Sequence, residues 1–115
     1  MTRAQIVEVF GARVGDLVWG VTDEPGATRR IRHGATYPKT ASIPGAVILK
    51  LCDRMANTRE CLKATTERSQ RKLQMYRAEY ALFRQLLHTN ADGVEARLWD
   101  ALDVLSAWDG KEDAG

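Results

Sequence analysis

Leu73, Tyr76, Tyr80, Phe83 and Leu87 recur every three or four residues along ERSQRKLQMYRAEYALFRQLL. That spacing is the period of an α-helix, and it gathers five large apolar side chains on one face. A helix is therefore expected over about Glu67 to Leu87. Glu67, Arg68, Arg71, Lys72 and Arg77 fall elsewhere on it and read as a mixed, solvated face. Strand alternation is rare along the chain and β-branched residues are scattered, so helical periodicity dominates throughout.

The other helices are read from their ends. Thr2 is placed to cap a first short helix carrying Ile6, Val7 and Phe10, and Gly11 permits a turn after it. Val14, Leu17, Val18 and Val21 follow at helical spacing, and Pro25-Gly26 marks a loop. TRRIRHGATY reads as helical only in part, because Gly34 and Pro38 oppose a regular helix. Ser42-Ile43-Pro44 reads as a helix start, with Ser42 as cap and Pro44 in the first turn, running to about Leu62. After a loop at HTNADG, Asp92 is expected to cap a last helix with Val94, Leu98, Ala101, Leu102 and Leu105 on its core face. The expected fold is all-α, a single helical domain of about five helices over residues 1–110, with a frayed acidic tail at 111–115.

Composition narrows the function classes. A chain of 115 residues fits one small domain, and 44% hydrophobic residues allow it a core. The net charge is only +2, and the densest basic cluster, Arg29, Arg30, Arg32 and His33, reads as a solvated surface, so no nucleic-acid partner is expected. The N-terminus lacks a signal-peptide pattern and the apolar runs are too short for a bilayer. Cys52 and Cys61 lack zinc-motif spacing, and Cys52 lies in an apolar run where reduced core thiols are common. A cytoplasmic protein with no membrane partner is expected. Trp19, Trp99 and Trp108 read as core or interface anchors.

The segment VILKLCDRMANTREC, residues 47 to 61, carries charge inside an apolar run. With Asp53 at zero on a helical wheel, Asn57 lies about 40° away, Lys50 about 60°, and Glu60 about 20° on the other side. These residues form one narrow polar stripe, flanked by Leu49 and Ala56. A solvated stripe with a Lys50–Asp53 pair explains this pattern. So does a ligand or metal site: a carboxylate suits a hard cation, and an amide one turn on suits a ribose or phosphate.

KLCDRMANTR resembles the KLADRLHNMR signature of HD-domain phosphohydrolases, most closely the hydrolase domain of the RelA/SpoT type. IVEVFGARVGDLVWGVTDEPG, YPKTASIPGAVILKLCDRMAN, RKLQMYRAEYALFRQLLH and EARLWDALDVL resemble further family segments, in the family's order. The resemblance implies an all-helical fold that holds one divalent ion, usually Mn²⁺, and removes pyrophosphate from the 3′ position of guanosine alarmones. It matches Asp53 to the last of four metal ligands. It matches Asn57 to a nucleotide contact and Arg59 to the basic residue two beyond, with Lys50 beside them on the stripe. Glu60 stands where the family often has Thr. The family's lone His and its His-Asp pair have no counterpart: no His-Asp dipeptide occurs, and His33 and His88 lie outside the matching positions.

Three functions follow from that resemblance. One quarter of a ligand set cannot fix an ion, so the first is a non-catalytic derivative with no catalytic residue and no firmly bound cofactor. It would act by binding a protein partner or by homo-oligomerising, as an inhibitor or regulator of the kind phages and mobile elements make. The missing helices would leave part of the central helix uncovered, including Leu49 and Ala56. Met1 suits a natural short reading frame of this kind. The second is a fragment of a Mn²⁺-dependent 3′-pyrophosphohydrolase that needs its N-terminal half. The third is a non-hydrolytic guanine-nucleotide-binding module using Lys50, Asn57 and Arg59.

Overall fold

The structure is a computed structural model that describes residues 2–89 and 92–110. It is all-α, and the described residues form six helices: α1 (Arg3–Phe10), α2 (Ala12–Val21), α3 (Arg29–Ser42), α4 (Ala46–Lys63), α5 (Glu67–Leu87) and α6 (Gly93–Leu105). None of them is long and apolar enough to cross a membrane. The chain divides into two compact units, Met1–Lys50 and Leu51–Gly115, with the division inside α4. The expected tail at 111–115 lies outside the described residues.

In the N-terminal unit, the Thr2 hydroxyl accepts from the Gln5 N–H, and the Gln5 side chain accepts from the Thr2 N–H at 2.7 Å. This capping box satisfies donors that a helix start leaves orphaned. Gly11, at φ +88°, turns the chain directly into α2. Close approach of α1 to α2 depends on Gly15, where a Cβ would lie 2.6 Å from Val7 Cγ2.

The third helix is longer than its sequence suggests. Thr28 caps it, its hydroxyl accepting from the Ile31 N–H, and Pro38 is carried inside. Thr36 and Thr40, both fully buried, tie α3 to the chain before it. The Thr36 hydroxyl donates to the Arg32 carbonyl at 2.6 Å and accepts from the Glu24 N–H at 2.8 Å. The Thr40 hydroxyl donates to the Gly20 carbonyl. Lys39 Nζ meets Glu24 at 2.9 Å and the Thr22 carbonyl at 2.8 Å, and lies 4.4 Å from the Trp19 ring centre. Arg3 lies the same distance from that ring and pairs with Asp16. Trp19 is thus an anchor between cations. His33 is buried and stacks on Tyr37 at 4.7 Å, so it does not belong to a solvated basic cluster as expected.

The expected start of α4 is corrected. Ser42 is the last residue of α3, Ile43 is its C-cap, and α4 begins at Ala46 after Gly45 at φ +86°. The Ser42 hydroxyl donates back to the Lys39 carbonyl instead of capping forward. The local Ser-x-Pro pattern lost to continued helical hydrogen bonding in α3, and Gly45 supplies the left-handed corner.

In the C-terminal unit, α5 has the expected bounds, and Leu73, Tyr76, Tyr80, Phe83 and Leu87 are its buried residues. Its N-cap is Thr66, which accepts from the Ser69 N–H. Glu67, Arg68, Arg71, Lys72 and Arg77 are exposed, with a Glu67–Arg71 pair at 3.0 Å. The α6 face is rotated from expectation. Trp99 and Leu102 are buried, whereas Val94 is 63% exposed and Leu98, Ala101 and Leu105 are only half-buried. Asp92 occupies the N-cap position without a side-chain cap bond. Trp99 explains the rotation: its indole meets Phe83 edge-on at 5.8 Å and lies tilted against the His88 ring at 5.0 Å. Burying an indole outweighs burying a valine, so the helix turns by one residue to seat it.

Cys52 does not take the core place expected of it. Cys52 is exposed, and Cys61 is buried in a cluster with Leu73 and Tyr76. Cys52 sits on the outer arc of α4, where an apolar run continues past the buried face.

Candidate functional site

The inner face of α4 carries Ala46, Val47, Leu51, Arg54, Met55, Thr58 and Cys61, all buried. One of them is a full charge. Arg54 Nη2 reaches Glu79 at 2.9 Å, and the Arg54 guanidinium lies 4.6 Å from the Tyr76 ring centre and 4.5 Å from that of Phe83. A buried guanidinium needs both a counter-charge and weak hydration, and α5 supplies a carboxylate and two ring faces for it. The Thr58 hydroxyl donates to the Arg54 carbonyl at 2.7 Å and so satisfies itself within the helix.

The polar stripe is next to this face. Asp53 and Glu60 are exposed, and Lys50 and Asn57 are half-buried. Asp53 is therefore in solvent, and the charge that is buried is its neighbour Arg54. Arg59 is exposed and lies about 160° from Asn57 around the helix, so the two leave α4 on nearly opposite sides. Lys50, Asp53 and Asn57 thus share one side of α4, and Arg59 leaves the helix on another.

Among the described residues, no three His, Cys, Asp or Glu side chains come together as a metal-ligand set. Asp53 stands in solvent, and His33 and His88 are each engaged with an aromatic ring.

What α4 does present is an apolar outer arc. Ile48, Cys52 and Ala56 are spaced one turn apart with Leu49 beside them, within an arc of about 100°. All four are exposed, Ile48 by 37% and Leu49 by 43%. Arg59, Glu60 and Lys63 border its far end.

A second polar constellation was missed in the sequence. Asp103 on α6 accepts from the Tyr80 hydroxyl at 2.5 Å, from Arg84 Nε at 3.0 Å and from Arg84 Nη2 at 3.4 Å. Burial first, and then the Asp103 hydrogen bond and charge, push the Tyr80 phenol far above its ordinary range. The spacing of Tyr80 and Arg84, one turn apart on α5, could have signalled it. Its partner on α6 could not be read from that spacing.

Compared with protein-family models, with curated proteins and with solved structures, the chain matches none.

Proposed function

We propose that this chain is a truncated HD-type helical protein that does not catalyse and acts by docking onto a protein partner through the outer arc of α4. The observation that supports it most is the exposure of Leu49 and Ala56, together with Ile48 and Cys52. A partner helix laid on this arc would remove apolar surface from water at roughly 25 cal/mol per Å². Small side chains at Cys52 and Ala56 would let its backbone come close. Arg59, Glu60 and Lys63 at the rim would set orientation by charge.

The test joins mass measurement in solution with capture by the tagged chain. The expected result is one stoichiometric partner that is lost on Leu49→Asp or Ala56→Asp, two exposed substitutions that leave the helical circular dichroism unchanged. A chain that stays monomeric and captures nothing overturns the docking reading. Alarmone hydrolysis by the purified chain with Mn²⁺ that falls on Asp53→Asn overturns the non-catalytic reading separately.

A further inference from the structure

Arg84, Gln85 and His88 on and after the last turn of α5 surround a cleft of about 300 Å³, with Trp108, Ala81 and Gly110 completing its wall. That volume is at the small end of ligand clefts. Its three polar side chains are a guanidinium, a primary amide and an imidazole, and each can donate hydrogen bonds. None of the described lining residues is a carboxylate. Trp108 adds an aromatic residue to the lining.

The cation and the ring are fixed by the same residue. The Asp103 side chain binds Arg84 through Nε and Nη2, and the Asp103 carbonyl accepts from the Trp108 main-chain N–H at 2.9 Å. Arg84 lies 5.3 Å from the Trp108 ring centre and 5.9 Å from that of Trp99. Tyr80 donates to Asp103 and meets Trp108 edge-on at 5.8 Å. Arg84 is thereby held before any ligand arrives, with Nη1 left over from the bonds to Asp103. Preorganisation of this kind lowers the entropy that binding must overcome.

From this arrangement we infer that the cleft binds a small aromatic carboxylate. Its carboxylate would meet Arg84 Nη1, with Gln85 and His88 as further donors. Its ring would lie against Trp108. An inorganic anion would leave the indole unused, and an uncharged aromatic would leave the guanidinium unused. The inference goes beyond the docking reading and involves none of the α4 residues.

Benzoate is the probe, titrated into the ¹⁵N-labelled full chain. The expected result is a saturable shift of the Trp108 indole N–H signal, assigned with Trp108→Phe. Benzamide keeps the ring without the charge, and cyclohexanecarboxylate keeps the charge without the flat ring. Each should bind roughly tenfold or more weakly. Gln85 is exposed, so Gln85→Glu should fold normally and weaken benzoate by roughly tenfold or more by placing a like charge at the wall. Gln85→Lys should tighten it. Absence of a saturable shift overturns the inference. So do equal affinities for the three probes, or an affinity indifferent to the sign of the charge at position 85.

Discussion

Arg54 and Glu79 meet at 2.9 Å with side chains only 5% and 17% exposed. A charge pair this deep is sensitive to the loss of either partner, because the survivor stays buried without a counter-charge. Glu79→Ala is expected to cost about 3 to 5 kcal/mol in urea unfolding. Replacing both, as Arg54→Met with Glu79→Leu, should recover most of that loss. Asp53→Asn, one residue away but in solvent, should change stability by no more than about 0.5 kcal/mol.

Tyr80 makes stability depend on alkaline pH. Its phenol is held neutral in the folded chain, first by burial and then by Asp103, so its pKa lies above the ordinary value of 10.0. The unfolded chain loses that proton near its ordinary value while the folded chain keeps it. The stabilisation is therefore complete below about pH 10 and declines as pH rises beyond it. Urea unfolding at about pH 8 and about pH 11 should show the decline, and Tyr80→Phe should flatten it at a cost of about 1 kcal/mol.

The glycines of α2 and α3 should respond in opposite directions. Gly15→Ala places a methyl 2.6 Å from Val7 Cγ2 and 3.1 Å from Val7 Cα, so α1 must shift. Thermal unfolding should report a loss of about 1 to 3 kcal/mol. Gly34 lies within α3 with nothing within 4 Å of its would-be Cβ. Gly34→Ala should stabilise by about 0.5 to 1 kcal/mol.

Thiol labelling distinguishes the two cysteines. In the folded chain Cys52 should react quickly and Cys61 only as the chain opens. Mass spectrometry after brief alkylation should find one adduct, on Cys52.

These contrasts also measure what the sequence made legible. The five-residue stripe of α5 read correctly because its outer positions are strongly charged, so only one face could turn inward. On α6 two adjacent stripes compete, and the choice between Val94 and Trp99 depends on Phe83 and His88, residues of another helix. Arg54 was hidden for a related reason: an arginine beside a polar stripe looks like surface, and only Glu79, Tyr76 and Phe83 reverse that. The helix continuing through Pro38 was hidden as well, since its anchors Thr36 and Thr40 bond to Glu24 and Gly20, far off in sequence.

Those two threonines impose a rule on how the chain can drift. Each hydroxyl serves its own helix and the preceding segment at once, and neither site has room at the surface. Serine can stand in at either position, while valine, of nearly the same shape, cannot. Ala35 and Pro38 beside them are exposed and answer to no such demand. A descendant of this chain could lose most of the outer surface of α3 and still be known by two hydroxyls one turn apart, one meeting the Glu24 N–H and the other the Gly20 carbonyl.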